Sequence, residues 1–219
     1  EPSKQTNHKS ENWPNPMSSI GSDEAGKGDS FGGIVVCAVG LSSDSYDEVV
    51  KTNICDSKKM SDAIILQLAP WLKERVAYKK IVLSPTEYNE AWRRCGENVN
   101  NLLTDLHTEC ISTVLEQGSY ESIVIDRFSP RHPVTKKLRQ IKNNIEIVEK
   151  PRAEEFLAVA CASVIARASF LEQIKKMCDN LAVDIPLGSG GPVPKALKKY
   201  KAIHGNHKWE KAVKLHFKN

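Results

Sequence analysis

The sequence predicts an α/β fold with a mixed central sheet flanked by helices. Short apolar runs alternate with segments of helical periodicity along the chain, as in α/β proteins. The first two runs, SSIGSD and GGIVVCAVGL, are joined by a glycine-rich turn, which predicts an antiparallel hairpin and hence a mixed sheet. Hydrophobic residues make up 40% of the 219 positions, which is enough for a folded core.

The first half of the chain contains start signals for two helices. Residues 61–75 predict a helix in which Ser61 is the N-cap and Pro70 either kinks the helix or marks its boundary. The next run, YKKIVLSP, alternates between apolar and polar residues and predicts a strand. A second helix is expected directly afterwards, with Ser84 as its cap and Pro85 at its first position.

The second half continues the alternation of helices and strands. Residues 98–116 have apolar side chains at helical spacing, and ESIVIDRF predicts a short buried strand that ends at Asp126. A basic helix over 134–141, a strand at NIEIVEK and a long alanine-rich helix from Ala153 to about Cys178 follow. A Gly/Pro-rich loop then leads to two short lysine-rich helices, so we expect a helical C-terminal extension.

The chain divides into a polar N-terminal segment and one domain. Residues 1–17 are rich in Pro, Asn and Ser and predict a disordered tail or linker. Residues 18–219 form the domain, and its part over about 180–219 is helical and basic. The last 25 residues, 195–219, hold eight lysines and one acid, which from charge alone favours a solvated helix face. A surface for a polyanion such as nucleic acid is the alternative.

Composition also excludes several classes of protein. No apolar run approaches the ~20 residues that a membrane-spanning helix needs, and the start has no signal-peptide core. The six cysteines contain no C-x-x-C pair, which favours reduced, buried thiols over a disulfide framework or a zinc site. We therefore expect a cytoplasmic protein that does not bind membranes.

The stretch GSDEAGKGDS, residues 21–30, is close to a phosphate-binding loop but differs from it in two ways. Glycine occupies position 28, where that motif has Ser or Thr, and Asp23 and Glu24 lie inside the loop. Two carboxylates repel a phosphate unless a cation neutralises them, so the loop fits half of a metal site better. Neighbouring strand residues point to opposite faces. We therefore expect that one of these two acids lies where the strand breaks into the turn, or that it contributes its backbone carbonyl to the site instead of its side chain.

Further acids occupy positions that suit such a site. Asp126 ends a buried strand, and in α/β proteins ligands bind at the carboxyl ends of strands. Glu154 and Glu155 open the long helix. Capping by Asp126 and favourable interaction of the glutamates with the helix dipole are the ordinary alternatives. Spacing alone leaves a shared acidic site and scattered surface acids equally open.

Six ordered segments resemble those of the ribonucleases HIII, a branch of the type 2 ribonuclease H family. They are GSDEAGKGDSFGGIVV, CDSKKMSD, YNE…ENVNNLLTDLH, IVIDRFSP, RAEEFLAVACASVIAR and AVKLHFKN, and they cover about residues 18–219. The resemblance implies a ribonuclease H-like fold. It also implies an endonuclease that cuts the RNA strand of RNA/DNA hybrids with two divalent metal ions, Mg²⁺ or Mn²⁺, giving 5′-phosphate and 3′-hydroxyl ends.

The resemblance assigns roles to specific residues. The catalytic, metal-binding acids are Asp23, Glu24, Asp126 and Glu154, with Glu155 as the alternative to Glu154. The residues expected to contact the hybrid are Gly26, Lys27, Gly28, Ser57, Lys58, Lys59, Asn98 and Asn101, and His107 is a further candidate for a DNA-strand contact. A tight turn for the glycines, a solvated loop for residues 57–59 and helix capping for the asparagines are the alternatives.

Several expectations separate this chain from its relatives. Ribonucleases HIII usually have an N-terminal domain resembling the TATA-binding protein, and we expect this chain to be the catalytic domain without it. We expect a monomer. The sister ribonucleases HII cut at single embedded ribonucleotides by means of a C-terminal tyrosine, whereas the ending KAVKLHFKN has none and Tyr200 lies in a lysine-rich helix. An enzyme of the HII type, a non-catalytic hybrid-binding module and a phosphate-loop phosphotransferase are the competing hypotheses.

Overall fold

The protein is built around a five-stranded mixed sheet. The structure, a computed structural model, describes residues 13–52, 54, 60–142, 144–205 and 208–217. The strands, in the spatial order β3-β2-β1-β4-β5, are β1 (Ser19–Ala25), β2 (Ile34–Leu41), β3 (Ala77–Leu83), β4 (Ser122–Asp126) and β5 (Glu146–Lys150). Strand β2 is antiparallel to β1 and β3, whereas β4 is parallel to β1 and β5. The predicted hairpin and mixed sheet are confirmed.

Seven α-helices in the described part of the chain cover the two faces of the sheet. They are α1 (Ser43–Val49), α2 (Asp62–Lys73), α3 (Pro85–Arg94), α4 (Val99–Leu115), α5 (Pro133–Ile141), α6 (Leu157–Leu181) and α7 (Pro192–His204). Helix α6 packs on one face together with α2, and α4 packs on the other face together with α5. Each face has its own apolar core, so the edge where β1 and β4 end lies between two packed layers.

Local signals in the sequence identified most helix starts. Ser61 and Ser84 cap α2 and α3 as predicted, and the side chain of Ser84 accepts a hydrogen bond from Glu87. Pro70 lies within α2, three residues before its end, rather than terminating it. The sequence analysis did not predict α1, which begins with a capping box at Ser42.

The long helix α6 is a core helix. It is apolar and long enough to cross a membrane, but 72% of its most apolar window is buried inside the protein. Its alanines allow a close approach to β1: a Cβ added to Gly21 would lie 2.1 Å from the backbone of Ala158. The helix begins at Leu157 and not at Ala153, because a 3-10 turn over Ala153–Glu155 precedes it.

The described part of the N-terminal segment contacts the domain. The indole ring of Trp13 lies 5.6 Å from the ring of Phe156, and the amine of Lys150 lies 4.7 Å above the same indole. Residues 13–17 therefore pack on the fold, in contrast to the tail predicted over 1–17. Residues 1–12 lie outside the described residues, and the domain assignment stays a prediction.

Candidate active site

Acidic side chains come together where β1 and β4 end. The two strands are parallel, with Ser22 paired to Ile125, so Asp23 and Asp126 follow at neighbouring positions. Asp23 is only 8% exposed, and its carboxylate accepts a hydrogen bond of 2.8 Å from the backbone N–H of Glu24. It also hydrogen-bonds Ser163 on α6. The parallel register thus brings together acids that are about a hundred residues apart in sequence.

Asp23 and Glu24 leave β1 on opposite faces of the sheet. Asp23 faces Ser163 on α6, whereas Glu24 contacts His107 on α4. Both residues lie within the regular strand, which runs on to Ala25. The expectation that one acid needs a broken strand is therefore wrong. Near the end of a strand the space beyond the sheet edge is open to side chains from both faces.

A buried histidine holds Glu24 in place. Nε2 of His107 lies 3.2 Å from Oε2 of Glu24, and Nδ1 lies 2.7 Å from the hydroxyl of Ser22, two residues earlier on the same face of β1. The imidazole stacks on Phe128 with a centroid separation of 5.2 Å, and its exposed fraction is 0%. A side chain without solvent exposure cannot contact a DNA strand, so the predicted DNA contact of His107 is wrong. Its contacts instead orient the carboxylate of Glu24, a role here called carboxylate holder.

The two neighbouring acids of β1 have opposite electrostatic environments. Burial raises the pKa of Asp23 well above its usual value, and the negative charges of Glu24 and Asp126 raise it further. Burial alone would also raise the pKa of Glu24, but the hydrogen bond and charge of His107, together with Lys27, lower it. The amine of Lys27 forms a 3.5 Å ion pair with the other oxygen of Glu24. Asp23 therefore has an uncompensated charge that a bound cation would stabilise.

The segment before α6 brings a fourth carboxylate to this edge. The backbone N–H of Ala153 donates a 2.9 Å hydrogen bond to Oδ1 of Asp126, which places the 3-10 turn Ala153–Glu155 against the end of β4. Glu154 is 7% exposed, whereas Glu155 is exposed to solvent. The geometry favours Glu154 over Glu155 as the acid that belongs to the cluster.

The chemistry of this cluster fits a hard divalent cation. Carboxylate oxygens are the ligands that Mg²⁺ and Mn²⁺ prefer. Across the described residues, no three His, Cys, Asp or Glu side chains stand close enough together to hold a metal ion in their present positions. The pKa of Asp23 is nevertheless raised, first by burial and then by the negative charges of Glu24 and Asp126, so its charged form is disfavoured. A cation bound among these oxygens would remove that repulsion, so the residues fit such a site.

An open cleft of about 510 Å³ is lined by Glu24 and by Ser163, the hydrogen-bond partner of Asp23. Residues 26–33, here called the glycine loop, connect β1 to β2, and the first three of them line the cleft. Gly26 has a φ of +92°, and an added Cβ would lie 2.5 Å from the ring of Phe170, so packing requires glycine there. At Gly28 an added Cβ would meet no described atom within 4 Å. The tight-turn alternative thus explains why residue 26 is a glycine. At Gly28, in contrast, the missing side chain leaves room in the cleft for a ligand.

The remaining predicted contact residues have varied positions. Ser57, Lys58 and Lys59 lie outside the described residues. The side chain of Asn98 caps α4, and the amide of Asn101 donates a 3.2 Å hydrogen bond to the carbonyl of Cys95. Both asparagines are exposed, so their contact with DNA stays a prediction.

The C-terminal lysines do not form one uniform surface. Among those that the structure describes, five are exposed: Lys195, Lys198, Lys199, Lys208 and Lys211. Lys214, in contrast, is completely buried. Tyr200 is 2% exposed, and its hydroxyl donates a 2.9 Å hydrogen bond to the carbonyl of Lys208. In this position Tyr200 points into the domain rather than outwards from a phosphate-facing surface.

The comparisons with known proteins converge on one family. A sequence model described as ribonuclease HII matches residues 20–219. A ribonuclease HIII of Protochlamydia amoebophila is 31% identical over 199 residues, covering 91% of this chain and 66% of the relative. One from Streptococcus pneumoniae (strain P1031) is 36% identical over 207 residues, covering 91% and 70%. The crystal structure of Bst-RNase HIII in complex with Mn²⁺ matches with a TM-score of 0.83 at 31% identity, covering 93% of this chain and 68% of that one. The chain thus spans about two thirds of these relatives' length.

Proposed function

The chain belongs to the ribonuclease HII family, and we propose that it is an endoribonuclease that uses divalent metal ions to cut the RNA strand of RNA/DNA hybrids. Its mixed sheet and flanking helices are a ribonuclease H-like fold. The observation that supports the proposal most is the burial of Asp23 beside Asp126 at the end of two parallel strands, next to an open cleft. Buried carboxylates are costly unless they are paired, hydrogen-bonded or coordinate a metal ion.

The residues that would hold the ions are Asp23, Glu24, Asp126 and Glu154. Two bound Mg²⁺ or Mn²⁺ ions would activate a water molecule and stabilise the leaving 3′-oxygen, giving 5′-phosphate and 3′-hydroxyl ends. The protein's own contribution is to orient the ligands. The N–H of Glu24 orients Asp23, and the N–H of Ala153 orients Asp126. These backbone donors belong to ordered elements, so each restricts the orientation of the carboxylate that it contacts.

The cleft offers groups that suit a nucleic-acid backbone. Lys27 is 39% exposed at its rim and can exchange its ion pair with Glu24 for a substrate phosphate. Arg167 of α6 also lines the cleft, where Asp62 of α2 holds it through two hydrogen bonds of 3.2 and 3.4 Å. Gly28 leaves room for backbone contacts to 2′-hydroxyls, the groups that distinguish RNA from DNA. We propose that the hybrid lies across this cleft.

Two other functions remain distinguishable by experiment. An enzyme of the HII type would also cut at single embedded ribonucleotides, but the burial of Tyr200 favours a preference for runs of ribonucleotides. A non-catalytic hybrid-binding module has no need of four carboxylates at the sheet edge. A monomer located in the cytoplasm remains our expectation.

The test is a substrate panel with end analysis. Labelled RNA/DNA hybrid, double-stranded DNA and double-stranded RNA are incubated with the protein in EDTA, Mg²⁺ or Mn²⁺. The proposal predicts that only the RNA strand of the hybrid is cut, only with metal, and that the products carry 5′-phosphates. Binding of the hybrid without any cutting would favour the binding module, and cutting of double-stranded DNA would exclude the proposed substrate class.

A further inference from the structure

Lys214 is a lysine without solvent exposure that lies beneath the glycine loop. Its exposed fraction is 0%, although seven other lysines share the last 25 residues of the chain. The amine donates hydrogen bonds to the backbone carbonyls of Asp29 and, at 3.4 Å, of Phe31. Its own backbone N–H donates a 2.9 Å bond to the carbonyl of Ser30. One residue therefore binds three consecutive residues of the glycine loop.

The segment around Lys214 is itself firmly attached to the domain. The N–H of Gly32 donates to the carbonyl of Ala212 at 2.9 Å, and Phe31 forms an antiparallel bridge with Val213. Asn89 of α3 donates to the carbonyl of Val213 and accepts from the N–H of Leu215, both at 2.9 Å. Residues 212–215, here called the C-terminal strap, thus connect the glycine loop to α3.

The surroundings of the Lys214 amine make its positive charge energetically unfavourable. The rings of Tyr88 and Phe170 lie 5.7 and 5.8 Å from Nζ, and Asp29 is the acid whose charge acts on it. The carboxylate of Asp29 is engaged elsewhere, because it accepts a 2.6 Å bond from the N–H of Gly188. Burial lowers the pKa of Lys214 to about 7, although Asp29 opposes the shift. A methionine would fill this space without that cost but would leave the loop carbonyls without their donor.

We propose that Lys214 is a positioning residue, which holds the glycine loop in the shape that presents Gly26 to Gly28 to the nucleic acid. It does not contact phosphate itself, so it fits neither the solvated helix face favoured for residues 195–219 nor the alternative of a surface for a polyanion. Both the ammonium and the neutral amine can donate to two carbonyls, so the role does not depend on protonation. The proposal rests on hybrid binding as the proposed function.

Salt dependence separates a positioning lysine from a phosphate-contacting one. Each lost phosphate contact lowers the slope of log affinity against log salt by about 0.9. Hybrid affinity is measured by fluorescence anisotropy over a salt series in EDTA, for Lys214→Met and for the exposed control Lys211→Met, each in a Lys27→Met parent, because Lys27 of the same loop is itself a proposed phosphate contact. We expect Lys214→Met to bind about 10- to 100-fold more weakly than this parent with the same slope, because the displaced loop then loses its geometry and no further charge. With metal, KM should rise while kcat stays near that of the parent.

A second measurement does not depend on activity. Hydrogen exchange of the amides of Ser30 and Gly32 should accelerate in Lys214→Met and stay unchanged in Lys211→Met, while the amides of α4 exchange as in the parent. If Lys214→Met does not fold, Asn89→Ala releases the strap from its other end and should give the same faster exchange and the same unchanged slope.

The outcomes separate this inference from the proposed function. A slope lowered by about 0.9 in Lys214→Met would make it a phosphate contact and overturn the positioning role. Parent-like affinity and exchange in the folded variants would also overturn it. A parent protein that binds no hybrid would refute the proposed function, and the exchange rates would then still report whether Lys214 holds the loop.

Discussion

Replacing Asp23 by asparagine should abolish cleavage and at the same time stabilise the metal-free protein. Asp23 is 8% exposed, and its charged form is destabilised by burial and by the charges of Glu24 and Asp126. Asparagine has nearly the same volume and keeps an oxygen that can accept the 2.8 Å hydrogen bond from the N–H of Glu24. The variant therefore removes an unfavourable charge without creating a cavity.

The size of the effect follows from the kind of site. Single stabilising substitutions commonly give about 0.5–2 kcal/mol, and for a chain of this length each kcal/mol raises Tm by about 2–4 °C. The pKa of Asp23 is raised on folding, so the folded state binds the proton more tightly than the unfolded state. The stability cost is thus absent below the usual value of 3.8, develops as the pH rises from there towards the folded pKa, and is complete above it. At pH 7 we expect Tm to rise by several degrees.

The assay is thermal unfolding in EDTA and in Mn²⁺, with Glu155→Gln as the exposed acidic control. The parent should gain stability from Mn²⁺, the control should behave as the parent does, and Asp23→Asn should gain little because it has lost a ligand. A lower Tm for Asp23→Asn in EDTA, or equal stabilisation of the variant and the parent by Mn²⁺, would refute the reasoning.

Three further predictions follow from the site and its surroundings. Glu154→Gln should reduce cleavage far more than Glu155→Gln, because Glu154 is buried and Glu155 is exposed; equal losses in rate assays would reverse the assignment. His107→Leu should weaken Mn²⁺ binding measured by calorimetry more than His107→Gln, which keeps an N–H donor for Glu24; identical affinities would remove His107 from the role of carboxylate holder. A duplex with four ribonucleotides should be cut much faster than one with a single ribonucleotide, and Tyr200→Phe should not change that ratio, because Tyr200 is buried; comparable rates on the two duplexes would contradict the preference.

The parts of the fold that could be predicted depend on local signals. The glycine-rich turn between two apolar runs predicted the hairpin, and Ser61 and Ser84 cap their helices because capping involves only neighbouring residues. Helix α1 was missed because it is a short, largely polar segment of seven residues. The start of α6 was placed too early, since Glu154 belongs to a 3-10 turn. That turn is held by Asp126, which is distant in sequence and lies at the end of β4.

In the candidate site, too, features that depend on local signals could be predicted and features that depend on distant partners could not. The acids could be proposed from the sequence because they lie in recognisable motifs, whereas the burial of His107 and Lys214 depends on tertiary packing. For His107 a signal was present, since it lies four residues from both Leu103 and Ile111 on the apolar face of α4. Lys214 gave none, because a lysine in a basic segment is usually solvated. The opposite directions of Asp23 and Glu24 followed from strand geometry, but their meeting beyond the strand end required the packed layers on both faces.

The most direct test of the account is hybrid cleavage by the parent and by Asp126→Asn at equal concentration, with Mn²⁺ and with EDTA. We expect the parent to cut the RNA strand with Mn²⁺ and not with EDTA. Folded Asp126→Asn should cut in neither, because the carboxylate oriented by the N–H of Ala153 is needed to hold a metal ion. Cleavage by the parent in EDTA, or cleavage by Asp126→Asn at the parent's rate, would contradict it.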